Sequence, residues 1–333
     1  MTRILQREVK PLGFTPETTY GTDAGGTRYA IPGYVKRATL KVDEHVESYI
    51  GVGGSFHTRR FFRKRRDVEL TMTYQLVDDY NDSALASSFS SLFYGDAPES
   101  GGTISTAGVG GAGLLRPNTT NNNLRSATFE CGYDTAATDV YYKVTGCVGK
   151  SYSIALKDGE PVDASATFVA QNVADQATAW VAAPALRTAQ PFTSDDLTLT
   201  VTDPSAGSVT DLDVVDSTWK LENQLAIHGI TQGTAARTIG QPQLVGRKVA
   251  LELDLWRTGR QFEDIVTDAD PATTASEWDI TWSLSKNSAA EIYTVTLTDA
   301  RVVSPWTVDV RDEDDVFKDK VTLEPESYTV DVI

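Results

Sequence analysis

The chain has 333 residues, of which 46 are acidic and 30 are basic, and its formal net charge is −16. A hydrophobic content of 40% is enough for a packed core and excludes a disordered chain. The sequence contains no apolar run long enough for a transmembrane helix, so we expect no membrane partner. The acidity also argues against general nucleic-acid affinity, which depends on neutralising phosphates.

Several features predict the compartment. The N-terminus has no apolar segment typical of a secretory signal, so export is not expected. Few lysines and many carboxylates suit a high-salt cytoplasm, where charge repulsion is screened. Cys131 and Cys147 are too few for a disulfide scaffold. The sequence is compatible with one disulfide bridge or with two free thiols, and a reducing cytoplasm favours the free thiols.

The dominant sequence period is two, which predicts antiparallel strands with one wet face. Residues 67–76 show it most clearly, because apolar and polar side chains alternate through the whole stretch. Similar alternation occurs at 38–43, 218–223 and 248–255. We therefore predict an all-β fold with one or two short helices, at 83–95 and 259–266.

The four alternating stretches form two similar pairs. Leu40 and Val68 are separated by 28 residues, as are Leu221 and Val249, so a constant shift of 181 residues relates the pairs. A long connection that contains glycine joins each pair and could form a protruding hairpin arm. The order of the later elements also repeats, and this pattern is typical of an internal duplication.

The predicted organisation is two tandem β-sandwich or barrel modules. The first module covers residues 1–171 and includes a surface insertion at 98–126, which is rich in Gly, Ser, Thr and Asn. A linker follows at 172–190, and the second module covers 191–333.

A basic block interrupts this acidic chain just before the second strand. Three interpretations remain open for it: docking on a carboxylate-rich protein surface, nucleic-acid contact, or an exposed loop. Docking is favoured because arginine pairs bidentately with carboxylates and two phenylalanines can anchor the contact. The block consists of Arg59, Arg60, Phe61, Phe62, Arg63, Lys64, Arg65 and Arg66.

An acidic cluster near the C-terminus is predicted to be a solvated turn, and it is also the candidate partner surface for this block. A weak cation site is a further alternative, but the glycine and glutamate positions of a calcium loop are not in register. The cluster consists of Asp309, Asp312, Glu313, Asp314 and Asp315.

No catalytic or cofactor site is predicted. The glycines at 108–113 match a dinucleotide fingerprint in letter only, because no strand precedes them and no helix opens after them. Ser55 and His57 have no orienting acid, and the three histidines lack ligands at metal-binding spacing. We therefore expect neither enzymatic activity nor a cofactor or metal.

Two stretches resemble the major tail tube proteins of long-tailed, non-contractile phages. Residues 191–225 resemble the family's opening hairpin and the strand after it, which here ends in Glu222-Asn223-Gln224-Leu225. Residues 14–25, FTPETTYGTDAG, resemble the start of many such virion proteins. The resemblance covers most of the chain and includes its duplicated form, and together with the acidity it implies a haloarchaeal virus as the source.

The resemblance implies a structural virion protein assembled in the host cytoplasm. Six modules, hence three chains, would close each ring around a channel, and stacked rings would form a tube. Other tail proteins would be partners, while tape-measure protein and genomic DNA would pass through without specific binding. A different β-rich virion or surface component, such as a tail-tip, decoration or carbohydrate-binding protein, is the alternative.

The wet strand faces would then line the channel with a mildly negative surface. In the first module these residues are Thr39, Lys41, Asp43, Asp67, Glu69, Thr71, Thr73 and Gln75. In the second they are Thr218, Lys220, Glu222, Lys248, Glu252 and Asp254.

Overall fold

A computed structural model describes residues 9–23, 25, 29–50, 59–77, 89, 92–94, 113–115, 124–133, 140–176, 190–203, 207–209, 214–228, 239–256, 278–286, 292–303 and 318–332. Within these ranges the chain forms seventeen strands, one short 3-10 turn (Ser194–Asp196), and helical backbone at residues 89 and 92–94. The predicted all-β class is therefore confirmed. The strands are β1 (Val9–Pro16), β2 (Tyr29–Ala30), β3 (Gly33–Ile50), β4 (Arg59–Leu76), β5 (Gly113–Leu115), β6 (Ser126–Tyr133), β7 (Val140–Lys157), β8 (Asp163–Ala170), β9 (Asn172–Gln176), β10 (Leu197–Asp203), β11 (Gly207–Val209), β12 (Val214–Ala226), β13 (Gln243–Trp256), β14 (Trp278–Ser285), β15 (Ile292–Val302), β16 (Lys318–Glu324) and β17 (Ser327–Val332). Among the described residues no helix has the length and hydropathy needed to cross a membrane.

Seven strands pair side by side in a wide central sheet. Their order is β3-β4-β8-β7-β12-β13-β16, and every neighbouring pair is antiparallel. The pairing of β7 with β12 joins the two halves of the chain, because Ser151–Lys157 lies against Asp216–Glu222. The central sheet is therefore continuous across both predicted modules.

Each half also contributes a second layer. In the first half β2, β1, β6, β7 and β9 pair in that order. In the second half the order is β11-β10-β14-β15-β17, and β5 extends this layer from the first half. The strands β7 and β15 each begin in the second layer and end beside the central sheet.

The core lies between these layers. Over residues 67–76 of β4 the apolar positions are fully buried and the alternating polar positions are half-buried, as the two-residue period predicts. Phe89 and Phe93 of the helical residues pack on Phe168 of β8, with ring centroids 5.9 and 4.9 Å away. We call residues 89 and 92–94 the helical segment. The described part of the predicted helix at 83–95 is thus helical and buried, while 259–266 lies outside the described residues.

Two segments that we expected to be irregular contain β-strands. Residues 172–176, placed in the linker, form β9 and pair with Tyr141–Thr145 of β7. Residues 113–115 of the insertion form β5 and pair with β17. Sequence composition did not reveal these pairings because their partners are distant in the chain.

The two similar hairpins differ in register. Leu40 lies opposite Leu70, whereas Leu221 lies opposite Val249. The constant shift of 181 residues, which aligned Leu40 with Leu221 and Val68 with Val249, therefore fails to superpose both strands of both hairpins. The pair that corresponds to Leu221–Val249 is Val42–Val68, and with this match the register shift between Val35 and Arg37 falls at the same place as the shift between Val214 and Asp216.

Candidate functional site

The outer face of the central sheet carries rows of small hydroxyl side chains. One row runs Thr39, Thr71, Thr167, Ser151 and then Glu222 across five neighbouring strands. Thr71 and Thr167 approach each other to 3.4 Å through their hydroxyl oxygens. We call this outer face of the seven strands the polar face.

The charges of the polar face nearly cancel. Among the side chains that the structure describes, this face carries nine carboxylates and eight cations, whereas the whole chain has a net charge of −16. The carboxylates belong to Asp43, Asp67, Glu69, Asp163, Asp216, Glu222, Glu252, Asp254 and Glu324. The cations belong to Lys36, Arg37, Lys41, Lys150, Lys157, Lys220, Lys248 and Lys320.

Five of these lysines have a carboxylate within ion-pair distance. Nζ of Lys150 is 3.0 Å from Glu69, and Nζ of Lys248 is 2.7 Å from Glu324, which raises the pKa of Lys248 by hydrogen bonding and attraction. The other three pairs are Lys36–Asp163, Lys220–Glu252 and Lys320–Glu252. Exposed ion pairs contribute little to stability, so their main consequence is a wall with few unpaired cations for a phosphate.

All fourteen residues predicted to line a channel lie on this polar face, and each is exposed or half-buried. Their apolar sequence neighbours on β4, β12 and β13 are buried in the core. Sequence reasoning missed the contribution of β7 and β8, which place Ser151, Ser153, Ser165 and Thr167 in the middle of the face. The alternation in β7 and β8 involves small residues, so it predicts the polar side of these strands less clearly than the alternation in β4 does.

A buried polar cluster joins the two halves on the opposite face of the sheet. Asn223 is 2% exposed, and its amide nitrogen donates to the carbonyl oxygens of Phe93 and Gly149, each at 2.9 Å. Its Oδ1 accepts from Nε of Arg247 at 2.7 Å. Arg247 also donates to the carbonyls of Phe93 and Tyr94 at 2.9 and 3.3 Å, and to the hydroxyl of Tyr328 at 2.8 Å.

Tyr94 extends this cluster into the second half. Its hydroxyl lies 3.0 Å from that of Tyr293 and accepts from Nε1 of Trp219 at 3.3 Å. Complete burial raises the pKa of Tyr94 far above its ordinary value. The helical segment thus belongs to the first half by sequence but caps the core-side face of β12 in the second.

The carboxylate of Glu17 holds residues 14–25 against the neighbouring strands through hydrogen bonds. Its two carboxylate oxygens accept four hydrogen bonds: from the backbone N–H of Gly21 and Gly146, each at 2.8 Å, from Ser126 Oγ at 2.7 Å and from Thr128 Oγ1 at 2.6 Å. Both glycines have positive φ, near +70°, which other residues rarely adopt. The carboxylate therefore holds the chain after β1 against β6 and β7.

The basic block occupies the first half of β4. Its backbone pairs with Glu44–Ile50 of β3, so β3 and β4 continue as a hairpin beyond the central sheet. The side chains of 59–65 are outside the described residues, and so are all five residues of the acidic cluster. The proposed contact between the block and the cluster stays a prediction.

The two cysteines and three of the tryptophans are buried. Cys131 and Cys147 are both free thiols within the core, as the cytoplasmic interpretation favoured. Burial, with a contribution from the Glu130 carboxylate, raises the pKa of Cys131 from its ordinary value to about 12. Trp219, Trp278 and Trp282 are also buried, which leaves them unavailable for the aromatic platform of a sugar site.

Within the described residues the architecture is all-β and open, with a polar sheet face and uncovered sheet edges, and such edges can pair with another chain. The sequence matches the phage tail tube protein family over residues 10–255, from β1 into β13, and the chain belongs to this family. No curated protein matches the chain. Membership makes it a structural component of a virion tail that assembles with other tail proteins.

Proposed function

We propose that three copies of this chain close into a ring and that stacked rings form the tube through which the genome leaves. The observation that carries the proposal is the central sheet, which is seven strands wide and open at both ends. Among the described residues β3 has one ladder partner, β4, while β16 has β13 and a two-residue contact with β15. Closing the sheet across subunits removes such edges.

The width of the sheet favours three chains over two. Strands lie about 4.8 Å apart and tilt by about 40° to a barrel axis, so three sheets of this width give a circumference of about 130 Å and a diameter of about 42 Å between backbones. A side-chain layer of about 5 Å on each wall leaves a bore of about 32 Å, wide enough for a DNA duplex. Two chains would leave about 18 Å, which is narrower than a duplex about 20 Å across.

A duplicated module supports the threefold count, because each chain would then supply two of six similar units. In the first half β1, β6, β7 and β9 pair in sequence, and β7, β8, β4 and β3 do the same. In the second half β10, β14, β15 and β17 repeat the first series, and β15, β16, β13 and β12 repeat the second. The same pairing scheme, in the same chain order, supports one ancestral module.

The polar face would line the bore. Hydroxyl rows and paired charges give DNA neither a cationic surface to adhere to nor a strongly repelling one. Tape-measure protein and genome would therefore pass without specific binding. The excess of negative charge, which lies on other parts of the chain, suits a halophilic, archaeal host, where salt screens it.

The β3–β4 hairpin would act in assembly. It carries the basic block beyond the central sheet, where its arginines would pair with carboxylates of a neighbouring subunit or ring. The acidic cluster at 309–315 is the proposed acceptor.

Electron microscopy of the purified protein tests the function. We expect rings or tubes with a central channel, at physiological or higher salt. A preparation that stays monomeric at all concentrations and salts would contradict the proposed function and favour a decoration or surface role.

A further inference from the structure

The core-side faces of β3 and β12 occupy corresponding places in the two halves, but only one of them is covered. On β12, Trp219 and Leu221 are 0 and 1% exposed. On β3, Val42 is 40% exposed, and Ala38 and Leu40 are only half-buried. The difference arises because the helical segment and its polar cluster lie over β12.

The β3–β4 and β12–β13 ladders show which residues of the two hairpins correspond. Leu40 lies opposite Leu70 as Trp219 lies opposite Leu251, and the next pairs are Val42–Val68 and Leu221–Val249. One pair further along, Glu44 lies opposite Arg66 and Asn223 lies opposite Arg247. On the other side of each hairpin, Leu70 pairs with Phe168 of β8 and Leu251 pairs with Leu323 of β16, so the next strands also correspond.

Arg66 and Arg247 thus hold the same place in their hairpins but differ in their contacts. The guanidinium of Arg247 bonds Asn223, Tyr328 and the carbonyls at the end of the helical segment. The Nε atom of Arg66 is buried and has no hydrogen-bond partner among the described residues, and its Nη1 makes a long contact of 3.4 Å with Asn172. An unpaired buried donor is costly, which points to an acceptor supplied from outside the chain.

We propose that a second copy of this chain covers the core-side face of β3. The covering segment is 259–266, which is predicted to be helical and whose Phe262-Glu-Asp-Ile265-Val266 repeats the spacing of Phe89, Leu92 and Phe93. Its apolar side chains lie over Ala38, Leu40 and Val42, and backbone carbonyls at its end accept from Arg66. The contact between subunits is then a copy of the contact between the two halves of one chain.

This inference rests on the proposed ring, because the second copy is the neighbour in that ring. It assigns Arg66 a role different from that of the other arginines of the basic block, since its acceptors are main-chain carbonyls and not the acidic cluster. It also explains why an apolar strip is exposed at the edge of the sheet in one subunit.

A photo-crosslinking experiment identifies the occupant. A benzophenone-bearing phenylalanine replaces Val42, and the variant is assembled with isotopically labelled chains so that links between chains can be recognised by mass spectrometry. We expect links to the peptide that contains 259–266 of another chain. The same probe in place of Val245, which is 71% exposed on β13, is the control and should not reach that peptide. Links within one chain, or to a different peptide, would overturn the proposal.

Paired arginine variants provide a test that does not need the probe. Arg247→Gln should lower the unfolding midpoint of the dilute monomer, whereas Arg66→Gln should leave that midpoint unchanged and raise the protein concentration needed for assembly at least about tenfold. If the wild type assembles and Arg66→Gln assembles at the same concentration, this contact is refuted and the proposed function stands. A wild type that never assembles refutes both.

Discussion

Asn223 and Arg247 lie opposite each other on β12 and β13, and Nε of the arginine donates to Oδ1 of the asparagine at 2.7 Å. The pair faces the core and receives the end of the helical segment, so one cross-strand contact joins both halves of the chain. A buried network of this kind is stabilising only while each member is satisfied.

Replacing Asn223 with Ala should therefore destabilise the monomer strongly. The change leaves Arg247 Nε and the Gly149 carbonyl without their partner, and we expect a loss of about 3 kcal/mol in the free energy of unfolding. Denaturant titration measures the loss. Gln224→Ala, at an exposed neighbouring position, should change the free energy by less than about 0.5 kcal/mol. Equal effects of the two substitutions would refute the role of the network.

The faces of the strands could be predicted from sequence, but the register and the joining of the halves could not. On β4 and β13 the alternation of apolar and polar residues determines which side is buried. Asn223 breaks that alternation, since it is polar on a buried face, and its partners Phe93 and Gly149 lie 130 and 74 residues away. The pairing of β7 with β12 depends on similarly distant residues, which no local pattern specifies.

Glu17 provides a second test of a buried polar contact. Glu17→Ala removes the acceptor of four hydrogen bonds, and we expect the free energy of unfolding to fall by about 3 kcal/mol. Thr18→Ala, at the exposed next residue, is the control. Hydrogen exchange should show the largest loss of protection in β1, and an unchanged β1 would show that other contacts hold this strand.

The buried thiols should make the protein sensitive to alkali. Because folding raises the pKa of both Cys131 and Cys147, their contribution to stability is complete below about pH 9 and is lost as the pH rises. Each thiol should lower the free energy of unfolding by about 1.4 kcal/mol per pH unit above pH 9, up to its folded pKa. For Cys131 this loss continues to about pH 12.

Denaturant titrations between pH 8 and pH 11 measure this slope. The Cys131→Ala/Cys147→Ala variant should have a shallower slope than the wild type, although it is less stable at neutral pH because of the cavities. Identical slopes would show that the thiols ionise with similar pKa values in both states.

The basic block should be required for polymerisation but not for folding. We expect Arg63→Glu/Arg65→Glu to give a folded subunit whose tubes fail to form, because the charge reversal places carboxylates against an acidic partner. Circular dichroism and electron microscopy report on the two properties. Arg63→Lys/Arg65→Lys, which preserves the charge, is the control, and tubes of normal length from the glutamate variant would refute the docking role.

The near-neutral polar face should be required for free passage of DNA. Thr71→Lys/Thr167→Lys adds two cations per chain at the middle of the proposed bore, where the residue opposite each new lysine is the other lysine and not a carboxylate. Assembled tubes of this variant should retain short duplex DNA at low salt and release it as salt rises, because the attraction is electrostatic. Thr71→Ser/Thr167→Ser tubes should retain none. Equal retention by both variants would place these residues away from the bore.

The most direct measurement is a cryo-electron microscopy map of the assembled protein in which chains can be traced. We expect three chains per ring, with β3 of each chain beside the second half of its neighbour and with Thr71, Thr167 and Ser151 facing the channel. A ring with a different number of chains, or one whose channel is lined by another surface while the polar face points outward, would contradict the account.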